Sequence, residues 1–233
     1  MSRLLLERVA ADAWPALEEV EVDGWRLRAS AGVTRRANSA LPLSGALPVD
    51  AVIDFYCSRG LPPVVQVSDA ATDDALAALG WQRDIAVEVM TSPVPVGAST
   101  AVVTAEPDEQ WLDCWWAVDG RGGAAQLVVA RQMLSRITAP AAYASIVRDG
   151  RAVAVGRAVA QEGQLGVFSM AVSPEHRRRG LGREILHALA TWGVEQATRT
   201  AYLQVFDGNV EARSLYASAG FSTAHHYHYR SLP

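Results

Sequence analysis

The stretch Val-Ser-Pro-Glu-His-Arg-Arg-Arg-Gly-Leu-Gly-Arg, residues 172–183, decides the fold of this chain. It follows the apolar run Leu165–Val172, whose continuity predicts a buried central strand. It leads into the amphipathic segment Gly182–Gln196, which predicts a helix. A short basic loop with two glycines therefore joins a buried strand to the start of a helix.

Such a loop has the properties of a pyrophosphate-binding site. The first N–H groups of a helix and the positive end of its dipole attract an anion. Gly180 and Gly182 let the main chain approach an anion closely because they carry no Cβ. An arginine can donate two parallel hydrogen bonds to phosphate oxygens. A solvated arginine cluster is the alternative, although cations at a helix N-terminus oppose its dipole. The glycine spacing matches neither the G-x-G-x-x-G pattern nor the P-loop pattern.

These residues resemble the GNAT superfamily of acetyltransferases. The signature loop R/Q-x-x-G-x-G/A is matched by Arg177, Gly180 and Gly182, after a V-x-P ending at Pro174. The second family element, N-x-x-A-x-x-L-Y-x-x-x-G-F, is matched by Asn209, Ala212, Leu215, Tyr216, Gly220 and Phe221. The resemblance is firm from about Ala101 to the last residue and faint before it.

The resemblance implies an α/β (α+β) fold of GNAT type, a mixed and mostly antiparallel sheet flanked by helices. It implies an acyl-CoA-dependent N-acyltransferase that moves the acetyl group of acetyl-CoA directly to a primary amine of a small molecule or peptide. The main chain at the end of the Leu165–Val172 strand would bind the pantetheine arm like an added strand. The implied cofactor-binding residues are Met170, Ala171, Val172, Arg177, Arg178, Arg179, Gly180, Leu181, Gly182, Arg183, Asn209 and Ala212.

The resemblance also nominates Tyr216 as the general acid that protonates the departing thiolate. A tyrosine is neutral at working pH and donates from a rigid ring, while packing of the ring in the core is the alternative. Direct transfer needs no covalent intermediate, so Cys57 and Cys114 are expected to be small buried apolar residues. No metal is expected, since no carboxylate stands beside the histidines in the sequence.

The general base is left open. The strand before the loop carries no glutamate, and Ser169 could only orient a water molecule. Asp207 and Glu162 are distant alternatives. The terminal strand carries His225, His226 and His228, which either pass a proton or lie on an exposed edge.

Composition narrows the classes of function. The net charge of −4 does not indicate the strongly basic surface expected of a nucleic-acid-binding protein. No apolar run is long enough to predict a membrane span. The cysteines lack metal or redox spacing, which favours a cytoplasmic protein. All 21 basic residues are arginine, which suggests a GC-rich bacterial genome and excludes a lysine nucleophile. A non-catalytic acyl-CoA-binding regulator is the alternative function, and a homodimer is left open.

The stretch around 91–99 divides the chain because prolines, a glycine and serines interrupt the periodic segments. We predict an N-terminal lobe at 1–92, a linker at 93–99 and a catalytic domain at 100–233. Val65–Val67 precedes a predicted helix, Asp73–Leu79, that runs into Gly80-Trp81. In parallel, Leu203–Val205 precedes a predicted helix, Val210–Ala219, that runs into Gly220-Phe221. This favours a tandem repeat with a degenerate first half, and chance similarity is the alternative.

The acceptor site is sought in two places. Gly24–Ser30 and Thr34–Leu41 predict a hairpin turning at Ala31–Gly32, and the paired arginines and the asparagine of its second strand suit an acidic group. Trp111 and Trp115 share one face of a helix. They either line an acceptor channel or pack in the core.

Overall fold

The computed structural model describes residues 2–120 and 122–233 of the 233-residue chain. Contacts divide the chain into two compact units. The first comprises Met1–Glu88, Gly122–Arg136 and His225–Pro233, and the second comprises Val89–Arg121 and Ile137–Ala224. Within the described ranges, no helix has both the length and the apolar character needed to cross a bilayer.

This partition differs from the predicted linear division at 93–99. The first unit includes a helix and a strand end that come much later in the chain, because both pack with the first lobe. The residues predicted to form the linker lie within the second unit. His187 Nδ1 lies 3.2 Å from the carbonyl oxygen of Ala98, and Thr100 donates to Glu184 at 2.9 Å.

The first unit is built on a small antiparallel sheet. Its elements are α1 (Arg3–Asp12), β1 (Glu18–Val22), β2 (Trp25–Ala29), β3 (Leu41–Pro42), α2 (Val49–Cys57), β4 (Val64–Val67), α3 (Ala70–Ala78) and α5 (Ala124–Leu134), with parts of β5 (Gln82–Pro93) and β11 (Ser222–Ser231). The order β1-β2-β3 is antiparallel. A parallel bridge joins Ala40 to Val65 of β4, which also pairs antiparallel with β11.

The sequence predicts the hairpin from Gly24–Ser30 and Thr34–Leu41, but the structure forms it from an earlier pair of segments. The structure pairs β1 with β2 through a turn at Asp23-Gly24, whose φ values are 49° and 81°. The segment predicted as the second strand instead holds a 3-10 turn, Arg36–Asn38. The cause is Asn38, whose side chain satisfies the main chain in place of a neighbouring strand. Its Oδ1 accepts from Ser30 and Gly32, and its Nδ2 donates to two carbonyl groups.

Arg35 and Asn38 of this segment therefore have structural roles. Arg35 is bonded to Asp84 of the same unit. On β2, Arg28 is fully buried and donates to the carbonyl and hydroxyl oxygens of Ser39 at 3.1 Å. Burial lowers the pKa of this guanidinium. Arg28 thus connects strand β2 to the irregular segment that follows it.

The second unit contains five consecutive strands of a mixed sheet, with helices on both faces. Its elements are β6 (Val102–Thr104), α4 (Glu109–Asp119), β7 (Ala141–Arg148), β8 (Arg151–Gln161), β9 (Gln164–Val172), α6 (Leu181–Glu195), β10 (Thr200–Phe206) and α7 (Val210–Ser218), with the remaining parts of β5 and β11. The order is β10-β9-β8-β7-β6, in which β9 and β10 are parallel and the other pairs antiparallel. The predicted mixed, mostly antiparallel architecture is confirmed.

Helix α6 covers one face of this sheet. Ile185 and Leu189 are fully buried against alternate strand residues such as Ala144. Tyr143 precedes Ala144 and so points to the opposite face. There its ring lies 5.2 Å from that of Trp111 in α4.

Both units run through the same order of elements. The series β1-β2-β3-α2-β4-α3-β5 in the first corresponds to β7-β8-β9-α6-β10-α7-β11 in the second. The leading hairpins turn on the same dipeptide, since Asp149-Gly150 has φ values of 51° and 76°, close to those of Asp23-Gly24. The predicted tandem repeat is confirmed at the level of the fold.

The ends of helices α3 and α7 show the correspondence residue by residue. The N–H of Trp81 donates to Leu76, and the N–H of Phe221 donates to Tyr216, both at 3.0 Å. Each helix is followed by a glycine of positive φ, which is the usual residue at this position. Leu76 in the first unit therefore occupies the position of Tyr216 in the second.

A carboxylate anchors the end of β11 in the first unit. Oδ1 of Asp73, in α3, lies 2.7 Å from Nε2 of His228 and accepts from Nε of Arg230 at 2.5 Å. Arg230 also donates to the carbonyl oxygen of Trp81 at 2.7 Å. The hydrogen bond from Arg230 is the main cause that lowers the pKa of the Asp73 carboxyl below 3.8, and burial opposes it.

We expect Asp73→Asn to lower the free energy of unfolding at pH 7 by about 1–3 kcal/mol. Because the folded-state pKa of Asp73 is lowered, its stabilisation is present above the unfolded value and is lost as pH falls through the folded value. The difference in Tm between the wild type and the variant should therefore shrink below about pH 4. Asp74→Asn, at an exposed position of the same helix, is the control, and equal losses in the two variants would contradict the assignment.

Candidate active site

Strands β9 and β10 run side by side for a short distance and then part. Their parallel pairing extends from Gln164↔Thr200 to Val167↔Leu203, whereas β9 continues to Val172 and β10 to Phe206. On its other edge β9 stays paired with β8 as far as Val172. The main chain at 170–172 thus presents one edge past the last pair with β10, as the addition of an extended ligand requires.

A β-bulge lies in β9 where the two strands part. Phe168 pairs with Arg157 and Ala171 pairs with Val155, so Ser169 and Met170 together face the single residue Gly156. Ser169 takes a positive φ of 52°. A bulge of this kind redirects main-chain N–H groups out of the ladder. Sequence reasoning missed this feature, although a glycine inside an apolar strand, here Gly156, is a signal for it.

The basic loop carries two residues in the left-handed region. After a 3-10 turn at Pro174–His176, Arg178 has a φ of 62° and Gly180 a φ of 81°. Gly180 is the N-cap of α6, and no side chain in the described part of the chain caps that end through a hydrogen bond. The first N–H groups of α6 are therefore open to an anion. A Cβ added to Gly180 would meet no atom of residues 2–120 and 122–233 within 4 Å, so the space beside it is open.

The arginines of the loop also fix its shape. Nε of Arg177 donates to the carbonyl oxygen of Val172 at 3.2 Å. Arg179 donates to the carbonyl oxygen of Glu175 at 3.0 Å. Both side chains remain exposed, so they order the loop and still place positive charge beside the start of the helix.

The start of α6 packs closely on α7. A Cβ on Gly182 would lie 3.2 Å from Leu215 Cδ2, and Arg183 donates to the hydroxyl of Ser218 at 2.7 Å. A side chain at Gly182 would therefore require Leu215 to move, so the glycine lets the start of α6 lie close to α7. The two sequence elements that carried the resemblance meet at this contact.

Asn209 has a structural role in the second element. Its Oδ1 accepts from the N–H of Ala212 at 3.1 Å and caps α7. This explains the N-x-x-A spacing, since the N-cap side chain binds an N–H three residues later. Contact of Asn209 or Ala212 with a ligand stays a prediction.

Tyr216 is buried on the inner side of α7, with 7% of its surface exposed. Its ring lies 5.9 Å from that of Phe221. Burial, followed by the charge of Asp119, raises the pKa of the Tyr216 phenol well above its ordinary value of 10.0. The phenol is therefore protonated at working pH, as a general acid must be, and a lasting phenolate is disfavoured.

The three candidates for a general base lie at different ends of the sheet. Glu162 lies in the β8–β9 turn, roughly 20 Å from Ser169 at about 3.3 Å per residue of strand. Asp207 follows the last residue of β10, and its buried Oδ1 has no hydrogen-bond partner among the described residues. Ser169 lies in the bulge. Asp207 and Ser169 are thus the candidates at the correct end of the sheet.

The three terminal histidines, His225, His226 and His228, lie in the first unit. Nε2 of His225 lies 3.3 Å from the buried carboxylate of Glu7, in a geometry that is not a hydrogen bond. His228 is held by Asp73. The expectation that no carboxylate stands near the histidines is therefore wrong. The fold brings α1 and α3 to the end of β11, and a carboxylate oxygen of Glu88 lies within 4.8 Å of a ring nitrogen of His226.

The cysteines differ from each other. Cys114 is buried, and burial raises the pKa of its thiol, which disfavours the thiolate and agrees with the predicted apolar role. Cys57 is exposed, so the expectation of burial is wrong for this residue. It occupies the last position of α2, where the helix ends at the surface.

The tryptophans of α4 pack in the core. Trp111 and Trp115 are 2% and 3% exposed, and the indole N–H of Trp111 donates to the carbonyl oxygens of Ala144 and Gly156. Of the two alternatives, core packing is the one observed. Their layer nevertheless covers the sheet face opposite α6.

That face carries a polar and aromatic set that sequence reasoning did not identify. We call it the α4 face, and its residues are Tyr143, Arg157, Phe168, Tyr202 and Gln204. The guanidinium of Arg157 lies 4.7 Å from the ring centre of Phe168, and the rings of Phe168 and Tyr202 meet edge to face at 5.9 Å. Its members come from four strands, so only strand pairing brings them together.

Comparison with known proteins gives a family match over almost the whole chain. The model described as "Probable histone acetyltransferase Rv0428c C-terminal" matches residues 3–230. The chain is 30% identical to the probable histone acetyltransferase Rv0428c of Mycobacterium tuberculosis, over 96% of this chain and 72% of that protein. It is 28% identical to the uncharacterized N-acetyltransferase YobR of Bacillus subtilis, over 97% of this chain and 96% of that protein.

Solved structures share the fold. A GCN5-related N-acetyltransferase from Kribbella flavida superposes with a TM-score of 0.71 at 13% identity, covering 99% of this chain and 95% of the other. A tandem GNAT protein from the clavulanic acid biosynthesis pathway superposes with a TM-score of 0.69 at 13% identity, covering 97% of this chain and 87% of the other. These likenesses agree with the repeated order of elements.

Proposed function

The chain belongs to the Rv0428c C-terminal acetyltransferase family of the GNAT superfamily, and from this premise we propose that it transfers the acetyl group of acetyl-CoA directly to a primary amine. It is an acetyltransferase of GNAT type. The amine is carried by a small molecule or a peptide, and Tyr216 is the general acid.

One observation carries the proposal: the open edge of β9 is followed, after the basic loop at 173–180, by a start of α6 that no described side chain caps. The main chain of Met170, Ala171 and Val172 would bind the amide groups of the pantetheine arm. The N–H groups from Arg178 to Arg183 would hold the pyrophosphate, with positive charge from the exposed arginines. The open space beside Gly180 and the parting of β9 from β10 both fit a ligand of this shape.

The proton balance of the reaction follows from the burial of Tyr216. The neutral amine attacks the thioester carbon, a C–N bond forms and the C–S bond breaks. Tyr216 gives its proton to the departing sulfur, and the surplus proton of the nitrogen returns to Tyr216 through water. Because burial disfavours the phenolate, this return must follow the donation closely.

The bulge in β9 supplies the remaining electrostatic element. A main-chain N–H at Ser169 or Met170, released from the ladder with β8, would stabilise the oxyanion that develops on the thioester carbonyl. A preorganised donor of this kind contributes about 3–4 kcal/mol to a reaction barrier. No side-chain nucleophile takes part in this scheme.

A thiol-release assay tests the proposed function. We expect acetyl-CoA to bind and free CoA to appear above the hydrolysis rate with at least one amine of a panel: phenethylamine, alaninamide, an aminoglycoside and a lysine-containing basic peptide. Mass spectrometry of the amine should show a gain of one acetyl group. If acetyl-CoA binds and no amine releases CoA, the proposal fails.

That last outcome would favour the second candidate function, a regulator that binds acyl-CoA without turning it over. The observation that favours it is the absence of a glutamate from β9, since the strand reads Gln-Leu-Gly-Val-Phe-Ser-Met-Ala-Val. A thermal shift with acetyl-CoA would then occur without catalysis.

A further inference from the structure

Gln204 occupies the position in β10 where the gap from β9 opens. The last pair joins Leu203 to Val167, and Gln204 is the next residue. Its neighbours Leu203 and Val205 are buried in the core on the α6 side. The side chain of Gln204 therefore points to the α4 face, as that of Tyr202 does.

The amide oxygen of this side chain is buried without a partner. Oε1 of Gln204 accepts no hydrogen bond from any residue at 2–120 or 122–233. A buried acceptor of this kind is unfavourable unless something donates to it. A ligand that brings an N–H group to the gap would satisfy it.

The substrate amine is the group that brings such an N–H. Attack requires the lone pair of the nitrogen to point at the thioester carbon, so its N–H bonds must point elsewhere. An acceptor oxygen on the strand that borders the gap can hold one of them. An amide suits this task, because its oxygen accepts a hydrogen bond but does not take up a proton.

We propose that Gln204 is a positioning residue whose amide oxygen accepts a hydrogen bond from the primary amine and aims its lone pair at the thioester. This inference rests on the proposed function. Gln204 is not the base, so the surplus proton leaves by the water route to Tyr216. The amine must therefore be neutral when it reacts, and activity should rise with pH until the amine is deprotonated.

The first test is Gln204→Met, which keeps the length of the side chain and removes its polar atoms. We expect kcat/KM for the best amine of the panel to fall about tenfold. The KM for acetyl-CoA should stay within about twofold, and Tm should be equal or higher because an unpaired polar atom is gone.

The matched control is Gln164→Met. Gln164 also has a buried Oε1 that lacks a partner in the described part of the chain, but it pairs with Thr200 at the far end of the β9–β10 contact. We expect its kcat/KM for the amine to equal that of the wild type. Equal values for Gln204→Met and the wild type would overturn the proposal, as would an effect confined to the KM for acetyl-CoA.

The second test uses the pH profile, which a merely structural role would not move. Gln204→Glu places a carboxylate where the amine binds, so it can accept the proton of the nitrogen. The rise of kcat/KM should shift to lower pH by about one unit or more relative to the wild type. An unshifted profile would contradict contact with the amine.

Failure of the proposed function and failure of this inference give different experimental results. A wild-type protein that turns over no amine removes the proposed function and this inference with it. An active wild type with unaffected Gln204 variants removes the inference alone.

Discussion

Replacing Tyr216 by phenylalanine is expected to lower kcat by about 10²- to 10³-fold, the usual contribution of a positioned general acid. Phenylalanine retains the ring and its contact with Phe221, so the core around α7 should persist. The dissociation constant for acetyl-CoA should change little, because the hydroxyl acts on the sulfur only as it departs. Steady-state kinetics with the best amine and calorimetry with acetyl-CoA give the two quantities.

Tyr56→Phe is the matched control, since it removes another buried tyrosine hydroxyl. Tyr56 lies in the first unit, where it donates to the carbonyl oxygen of Arg28 at 3.1 Å. Its loss should reduce stability by about 0.5–1.5 kcal/mol and leave kcat unchanged. If Tyr216→Phe keeps the wild-type kcat, Tyr216 is not the acid.

The raised pKa of Tyr216 adds a pH signature. The phenol stays protonated up to and beyond its ordinary value of 10.0, so kcat should show no falling limb from this group below about pH 10. The raised pKa of Tyr216 also makes its contribution to the free energy of unfolding depend on pH. It is fully present below the unfolded-state pKa and is lost as pH rises through the folded-state pKa.

Replacing Gly180 by valine is expected to weaken acetyl-CoA binding by about 100-fold or more. A β-branched residue at a φ of 81° is strained by roughly 2 kcal/mol, and relief of that strain moves the N–H groups at the start of α6. The new side chain also occupies the space that is open beside the loop. Calorimetry or a thermal-shift titration with acetyl-CoA measures the effect.

Gly150→Val provides the comparison. Gly150 has a φ of 76°, and a Cβ there would meet no atom of the described residues within 4 Å, but it lies in the β7–β8 turn. Both variants should lose similar stability, whereas only Gly180→Val should lose affinity. If both weaken binding equally, the loop has no special role in holding the pyrophosphate.

The second unit could be predicted closely because its signals are local. Glycines at the start of α6 and after α7, an N-cap at Asn209 and a continuous apolar strand each act over a few residues. The sequence predicts helix α7 at Val210–Ala219, and the structure has it at Val210–Ser218. The pyrophosphate loop is one contiguous segment, so its shape follows from its own sequence.

The first unit was harder because its strands are marked weakly. Strand β1 reads Glu-Glu-Val-Glu-Val and so lacks the alternating pattern of a half-buried strand. The Asp-Gly signal for its turn was present, but Ala31–Gly32 offered a competing turn. The capping by Asn38 depends on a side chain reaching back several residues, which periodicity does not reveal.

The remaining features of the site depend on pairing between strands. The bulge at Ser169 is defined by the pairing of β9 with Gly156 of β8. The position of Gln204 beside the gap is defined by the point at which β10 stops pairing with β9. Neither partner lies near the other in sequence. Local sequence patterns therefore do not predict these two features.

The anchoring of β11 in the first unit has a consequence for biosynthesis. Asp73 and His228 are 155 positions apart in the chain, and β4 also pairs with β11. On the ribosome, β4 and α3 must therefore wait for nearly the whole second unit to be translated before their partner strand emerges. The lobe that is synthesised first completes its structure last, and until then its β4 edge is exposed to chaperones and proteases.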